Sequence, residues 1–286
     1  MTSRSAPSSV ANVLSELELE QPQVVTKRRL AELARRAGVT LPVSAVAERL
    51  QRHGWLLPLR TRETWEFAPG SRAGPIGSGD PFIEVRATLA RRPEFAVAVA
   101  YESSAWIHRL TSRIPAKHVL SIPQSESVPH ALRDFRATRV QANLEPEQLQ
   151  SLPVWRVESL VVLIGARPAA FRDWPNIDQW LDTAVGRVDP TLLLTELEGR
   201  PRSAWMRAGY LIETGGDTSL ADRIRDDAPP GSGPFYLGPR DAPGRYNRKW
   251  QVHDSVLRYR HVGATGHASR QQQMLVEQPG SPSSGS

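Results

Sequence analysis

The chain has 286 residues, 40% hydrophobic and 23% charged, which is the balance of an ordinary globular protein of one or two domains. Cysteine is absent, so disulfides, thiolate metal sites and cysteine nucleophiles are excluded. No apolar run approaches the roughly 20 residues of a membrane-spanning helix. Residues 1–7 lack the apolar stretch of a signal peptide. We therefore expect a cytoplasmic protein that contacts no membrane.

The basic residues are concentrated near the N-terminus. The formal net charge of the whole chain is +6. Residues 21–62 alone carry nine cations against the two acids Glu32 and Glu48, a net charge of +7, so the rest of the chain is close to neutral. This local excess indicates a polyanionic partner more strongly than the overall charge does. The nine cations are Lys27, Arg28, Arg29, Arg35, Arg36, Arg49, Arg52, Arg60 and Arg62.

One apolar spacing recurs three times in the first fifty residues. Apolar side chains at i, i+3, i+4 and i+7 predict a short amphipathic helix each time. Thr26 can cap the second helix, and Pro42 suits the first turn of the third. Gly38 and Gly54 are placed to end the second and third helices. The three apolar sets are Val10, Val13, Leu14 and Leu17; Leu30, Leu33, Ala34 and Ala37; and Val43, Val46, Ala47 and Leu50.

Two strand-like runs follow the third helical pattern. They cover residues 55–60 and 65–67 and are joined by a polar tip at residues 61–64. Strand alternation directs Trp65 and Phe67 to one side and Glu66 to the other. Three helices and a two-stranded ribbon predict a winged helix-turn-helix domain over residues 1–68.

The remaining chain is predicted to contain a linker, a larger domain and a tail. Residues 69–80 are rich in Gly, Pro and Ser and are typical of a linker. Residues 81–262 mix helical and strand-like patterns, and residues 263–286 have a composition typical of a disordered tail. The predicted fold class is therefore α+β, with an N-terminal winged helix-turn-helix followed by a larger mixed α+β domain. Predicted strands are 95–100, 119–122, 154–157 and 250–252, and predicted helices are 82–90, 102–109, 160–165, 177–185, 190–198 and 204–213.

The outward face of the third helix is the predicted base-reading surface. With the apolar stripe facing inward, Ala45, Glu48, Arg49 and Arg52 face outward, with Ser44 to one side. In a helix-turn-helix this face enters the major groove. Arginine there can donate to O6 and N7 of guanine, and Glu48 can accept from N4 of cytosine. Ala45 is small enough to permit close approach or to touch a thymine methyl group.

The second helix and the ribbon tip are the predicted backbone-contacting surfaces. Arg28 and Arg35 face outward on the second helix, as phosphate neutralisation requires. Arg60 and Arg62 lie at the turn of the ribbon, where a wing meets phosphate or the minor groove. Two alternatives stay open: these arginines form solvated helix faces, or the winged helix binds protein. The predicted DNA-binding residues are Lys27, Arg28, Arg29, Arg35, Arg36, Ser44, Ala45, Glu48, Arg49, Arg52, Arg60 and Arg62.

Catalytic and metal-binding patterns are not found. The seven histidines form neither H-x-H nor H-x-x-x-H, and HExxH, GxxxxGK and GxSxG are absent. His108 is expected to cap a helix or lie in the core, and Asp226 and Asp227 are expected in an exposed loop rather than on a metal. Tryptophans 155, 174, 180, 205 and 250 are expected in the core or an interface. We therefore expect no catalytic residue, no metal and no cofactor, and a protein that is not an enzyme.

Six short motifs follow residue 80. Residues 80–82 read Asp-Pro-Phe, residues 91–98 read Arg-Arg-Pro-Glu-Phe-Ala-Val-Ala, and residues 103–111 read Ser-Ser-Ala-Trp-Ile-His-Arg-Leu-Thr, with Ile-Pro at 114–115. Residues 154–160 read Val-Trp-Arg-Val-Glu-Ser-Leu, residues 207–213 read Arg-Ala-Gly-Tyr-Leu-Ile-Glu, and residues 246–250 read Tyr-Asn-Arg-Lys-Trp. Together with the winged helix, these motifs resemble the AbiEi-type antitoxins of bacterial type IV toxin–antitoxin (abortive infection) systems.

The resemblance is clearest at residues 103–111. Family members typically read Ser-Ala-Leu, two residues, His-Gly-Leu-Thr and then Pro, and Arg109 stands where they have Gly. The ribbon lacks their Arg-Gly-x-Tyr pattern and has Trp65 and Phe67 instead.

The resemblance implies a transcriptional repressor that acts as an antitoxin. Such proteins bind inverted repeats in the double-stranded DNA of their own promoter. The operon that they repress also encodes a nucleotidyltransferase-like toxin. Neutralisation of that toxin need not involve a stable complex. An inverted repeat engages two copies of the winged helix. Because the sequence contains no coiled coil, we expect a monomer in solution or a dimer on DNA.

Two other classes of function stay open. One is a ligand-responsive winged-helix regulator whose C-terminal domain senses a small molecule. The other is an enzyme with a DNA-targeting module, against which the lack of clustered catalytic residues counts.

Overall fold

The computed structural model describes residues 10–72 and 76–257. The chain has two compact units, one up to Arg156 and one from Val157 onward. Helices and several sheets are both present, so the predicted α+β class is confirmed. The proposed division into residues 1–68, 69–80 and 81–262 stays a prediction, and the predicted tail at 263–286 lies outside the described residues.

Three helices and a three-stranded sheet make up residues 10–68. The helices are α1 (Ala11–Glu20), α2 (Lys27–Arg36) and α3 (Val43–Arg52). The strands β1 (Val24–Thr26), β2 (Leu56–Pro58) and β3 (Thr64–Phe67) pair antiparallel in the order β1-β3-β2. The predicted ribbon is present as the antiparallel pair β2–β3. The third strand, β1, was not predicted, because three residues are too few to show an alternation that a sequence pattern could detect.

The predicted apolar stripes form the core of this part of the chain. Leu17, Leu30 and Leu50 are fully buried in one cluster. The Thr26 hydroxyl accepts a hydrogen bond from the Arg29 amide, as predicted for the cap of α2. Gly38 and Gly54 both have positive φ, 68° and 72°, which confirms that they follow the ends of α2 and α3.

Residues 81–156 form a mixed five-stranded sheet with helices α4 (Ile83–Arg91) and α5 (Tyr101–Ile107). The strands are β4 (Ala98–Val99), β5 (Val119–Ser121), β6 (Arg136–Thr138), β7 (Glu147–Leu149) and β8 (Leu152–Val154), in the order β6-β5-β4-β8-β7. A short 3₁₀ helix, His130–Leu132, precedes β6. The edge strands β6 and β7 were not predicted, because their side chains are mostly polar and only partly buried.

The second unit is mainly helical. Its helices are α6 (Val157–Ala166), α7 (Trp174–Val185), α8 (Pro190–Leu197), α9 (Arg202–Thr214) and α10 (Thr218–Asp227), with a 3₁₀ turn at Pro168–Ala170. Strands β9 (Phe235–Leu237), β10 (Arg245–Asn247) and β11 (Val252–Asp254) form a small sheet in the order β10-β11-β9.

Three predictions for residues 154 onward need correction. The strand predicted at 250–252 lies further along the chain, since β11 is Val252–Asp254. Residues 154–157 are not one strand, because β8 ends at Val154 and α6 begins at Val157. Asp226 and Asp227 lie in the last turn of α10, not in a loop. The sequence pattern did not reveal this helix, whose N-terminus is capped by the Asp217 side chain. No helix in the described ranges is long and apolar enough to cross a membrane.

Two of the motifs that resemble the family contact each other in this unit. Trp250, which is fully buried, lies against Gly209 of α9, where a Cβ atom would overlap the indole ring. The indole nitrogen of Trp250 donates to the Glu213 carboxylate at 2.6 Å. The side chain of Asn247 accepts from the Trp250 amide at 3.1 Å. The glycine, the glutamate and the asparagine of these motifs therefore all serve to seat one tryptophan.

Gly209→Ala is expected to lower the free energy of unfolding by about 1–3 kcal/mol, because the added methyl group overpacks the Trp250 site. Urea denaturation followed by tryptophan fluorescence measures the loss. Gly186→Ala is the matched control: Gly186 has an ordinary helical φ of −65°, and an added Cβ would lie 3.4 Å from the nearest atom, the Asp182 carbonyl oxygen. Equal stability of the two variants would contradict the packing role of Gly209.

Candidate nucleic-acid interface

The outward face of α3 carries the predicted base-reading residues on the surface. Ser44, Glu48 and Arg52 are exposed, and Ala45 and Arg49 are half-buried. The Arg52 guanidinium lies 2.6 Å from the Glu48 carboxylate, one helical turn away. Both side chains are about two-thirds exposed (66% and 69%), and an ion pair of this kind contributes less than about 1 kcal/mol. Arg52 can therefore exchange Glu48 for another partner at little cost.

The predicted backbone-contacting face of α2 contains two available arginines. The Arg28 side chain is 86% exposed, and its nearest carboxylate, Glu32, is 4.0 Å away. Arg35 is exposed and forms no ion pair within residues 10–72 and 76–257. The two lie seven residues apart, two turns along one side of the helix.

The other two arginines of α2 are held by α1. Both Arg29 and Arg36 contact the Glu20 carboxylate at the end of α1, and Arg29 also contacts Glu32 at 3.2 Å. The hydrogen bond from Arg29 is the main reason why the pKa of Glu20 lies below its usual value. The basic surface of α2 is thus divided between two arginines with an acidic partner in α1 and two that face away from it.

Lys27, the first residue of α2, is joined to the ribbon. Its amine lies 2.8 Å from the Glu63 carboxylate, and its amide donates to the Glu63 carbonyl at 2.9 Å. The hydrogen bond from Lys27 lowers the pKa of Glu63. The N-terminus of α2 and the ribbon tip are consequently adjacent.

In the structure the ribbon tip is the turn between β2 and β3, residues 59–63, and it does not project freely. The Arg60 guanidinium pairs with Asp134, just after the 3₁₀ helix. The Glu84 carboxylate on α4 accepts from the Arg60 amide at 2.7 Å, the Thr61 amide at 3.1 Å and the Thr61 hydroxyl at 3.0 Å. These partners are 23–74 residues away in sequence, so no local pattern indicated them.

The residue that remains outermost at the tip is Arg62. Its side chain is exposed, and its carbonyl oxygen accepts from the guanidinium of Arg91 on α4 at 2.9 Å. Among the exposed cations of the predicted DNA-binding set, Arg35 and Arg62 form no ion pair within the described residues, and Arg28 has only Glu32 at 4.0 Å. Arg52 pairs only with Glu48 on its own helix. Assignment of all twelve to DNA contact stays a prediction.

Residues outside this surface have structural roles. Ser104 and His108 of α5 converge on one atom, the Trp155 carbonyl oxygen, which accepts from the serine hydroxyl at 2.9 Å and from His108 Nε2 at 2.7 Å. His108 is the C-cap of α5, as predicted. The serine and histidine of the motif at 103–111 therefore tie α5 to the end of β8.

His118 and the five tryptophans singled out in the sequence also have structural roles. Burial lowers the pKa of His118, whose Nδ1 lies 3.1 Å from the Ser103 hydroxyl. The five predicted core tryptophans are all at most 8% exposed. Among the described residues no group of three or more His, Asp or Glu side chains is placed to hold a metal ion.

Two comparisons with known proteins find similarity. Residues 97–214 match the family described as AbiEi antitoxin C-terminal domain, which confirms the resemblance to AbiEi-type antitoxins. The chain is also similar to a crystal structure of the RV2827C protein from Mycobacterium tuberculosis, with a TM-score of 0.72 and 27% sequence identity. That alignment covers 89% of this chain and 94% of the other. No curated protein matches the sequence.

Arg109 stands where the family has glycine, and its φ is +58°. Left-handed backbone costs a residue with a Cβ atom about 1–2 kcal/mol, whereas glycine adopts it freely. Arg109→Gly is therefore expected to raise the free energy of unfolding by about 1 kcal/mol. Chemical denaturation measures the gain, and Arg109→Ala, which keeps the Cβ atom, is expected to show none. A destabilised glycine variant would contradict the strain at this position.

Proposed function

We propose that residues 10–68 form a winged helix-turn-helix that binds double-stranded DNA. The element order supports the proposal: α1, β1, α2, a short connection, α3 and then the hairpin β2–β3. In such a domain α3 enters the major groove, α2 crosses the phosphate backbone, and the hairpin is the wing. The observation that carries the proposal is the exposure of Arg28 and Arg35, two turns apart on α2, together with that of Arg52 on α3.

The function that we propose on this basis is that of an antitoxin that represses its own operon. The family match supports an antitoxin of a type IV toxin–antitoxin system. The AbiEi antitoxin family is not an enzyme family, and we propose a non-catalytic role for this chain as well. Binding to inverted repeats in its own promoter, with two copies on one operator and a nucleotidyltransferase-like toxin encoded alongside, completes the proposal.

The direct test is a gel shift with the full chain, the promoter upstream of its own reading frame, and a shuffled fragment of equal length. The proposal predicts a shift of the promoter at concentrations that leave the shuffled fragment free. Equal affinity for both fragments would contradict sequence-specific repression, and no shift of either would contradict DNA binding altogether.

Arg28→Ala is expected to weaken binding to promoter and shuffled DNA alike, because a phosphate contact carries no sequence information. The slope of log affinity against log salt concentration should fall by about 1. Fluorescence anisotropy between 50 and 200 mM salt measures it. Arg223→Ala, which removes an exposed arginine of α10, is the control with the same change in net charge. An unchanged slope for Arg28→Ala would remove α2 from the interface.

Arg52 tests base reading separately from charge. Arg52→Lys keeps the cation but loses the two-pronged donor, so it should retain binding to shuffled DNA and lose about 1–3 kcal/mol on the promoter. Competition binding against single-base operator variants is the measurement, and one base pair should lose its preference. If Arg52→Lys discriminates between bases as the native protein does, Arg52 does not read a base.

A second function is favoured by one observation. A cleft of about 610 Å³ is lined by residues of the five-stranded sheet, among them Ala98 of β4, Ser121 of β5 and Pro153 of β8. Its volume suits a small molecule. A ligand-responsive regulator would bind its effector there, and stabilisation by a metabolite in a thermal-shift screen, lost on Ala98→Leu, would favour this alternative. If the screen finds no compound that stabilises the protein, the cleft has no support as an effector site.

A further inference from the structure

One carboxylate of α4 accepts most of the hydrogen bonds that join the wing to this helix. Glu84, in the first turn of α4, accepts three hydrogen bonds from residues 60 and 61. Thr61 is 8% exposed, and its hydroxyl lies 3.3 Å from that of Thr88, one turn further along α4. The backbone N–H groups of Arg60 and Thr61 are therefore bonded to the protein and are not offered to DNA phosphates.

These contacts determine which side chain the wing presents outward. The Arg60 guanidinium pairs with Asp134, and the guanidinium of Arg91, also on α4, donates to the Arg62 carbonyl oxygen at 2.9 Å. While the backbone on either side of it is bonded to α4, the Arg62 side chain itself remains exposed. It lies beside Glu63, whose carboxylate joins the tip to Lys27 at the start of α2.

We propose that Glu84 is a positioning residue for DNA binding, and that it acts by fixing the wing so that Arg62 contacts the phosphate backbone. This inference rests on the proposed DNA-binding function and extends it to a residue outside the winged helix. Ordering the tip in advance removes part of the entropy that a mobile loop loses when it binds.

Electrostatics and positioning predict opposite effects of removing this acid. Glu84 carries a negative charge close to a surface proposed to bind a polyanion. If charge alone mattered, Glu84→Ala would strengthen DNA binding. If Glu84 positions the wing, the same variant weakens binding, because Arg62 is no longer held at the backbone.

The experiment measures promoter binding of the full chain by anisotropy between 50 and 200 mM salt for Glu84→Ala, Arg62→Ala and the double variant. Each single variant should reduce the salt slope by about 1, so the fall in affinity over this range becomes about fourfold smaller. The double variant should match Arg62→Ala, because the two residues act through one contact. Glu145→Ala removes an exposed glutamate elsewhere in the same compact unit and should leave the slope unchanged.

The conservative variant Glu84→Gln keeps one acceptor oxygen and should fall between the native protein and Glu84→Ala. Arg28→Ala serves as the internal reference for the helix-turn-helix. Its effect should persist in the Glu84→Ala background, which shows that this part of the chain is still folded.

Tighter or unchanged binding by Glu84→Ala would overturn the positioning role, as would additive effects in the double variant. If Arg28→Ala still weakens binding in either case, the proposed DNA-binding function stands and only the role of Glu84 fails. If none of the variants, Arg28→Ala included, changes promoter binding, both the role of Glu84 and the proposed interface on α2 and the wing fail, and if the native chain does not bind the promoter, the proposed DNA-binding function fails.

Discussion

Repulsion among like charges is the constraint around which the N-terminal part of the chain is built. Nine cations within 42 residues would repel one another strongly if the protein left them uncompensated. The fold brings in carboxylates from three separate places: Glu20 at the end of α1, Glu63 just before β3, and Asp134 just after the 3₁₀ helix. Each lies outside the basic segment itself. The cations that receive no close partner in this way, notably Arg28 and Arg62, are the ones that we expect to meet phosphate.

This arrangement gives the acids a role in selecting the binding surface. A helix with four free arginines on different sides would bind a polyanion in several orientations. With Arg29 and Arg36 held by Glu20, the remaining charge on α2 lies mainly on the side of Arg28 and Arg35. The same reasoning applies to the wing, where Arg60 is held and Arg62 is left exposed. Fixed charges of this kind favour one docking geometry over others.

The helices of this protein could largely be predicted from its sequence, and its ion pairs could not. Apolar stripes such as Leu30–Leu33 and Val46–Leu50 report burial directly, because helical periodicity places them on one face. β1 was missed because three residues cannot show a pattern, and α10 because its polar residues resemble a loop. Glu84 and Glu20 could not be assigned to the candidate site, because hydrogen bonds across 24 residues, or between two helices, leave no periodic signal.

The family motifs, by contrast, turned out to report structure more than function. His108 and Ser104 hold the Trp155 carbonyl, and Gly209 and Glu213 seat Trp250. In this chain, these motif residues make hydrogen bonds and packing contacts in the interior. The proposed DNA contacts lie elsewhere, on side chains whose exposure and charge, not their motif, distinguish them.

The central claim is that α3 and the arginine face of α2 dock on two half-sites of the chain's own promoter. Hydroxyl-radical footprinting of the full chain on that promoter tests it most directly. We expect two protected segments of the DNA backbone, related by the symmetry of an inverted repeat. Within each half-site, α2 and the wing should each protect the DNA backbone, on opposite sides of one major groove. Uniform protection along the fragment, or none at concentrations that saturate the gel shift, would contradict it.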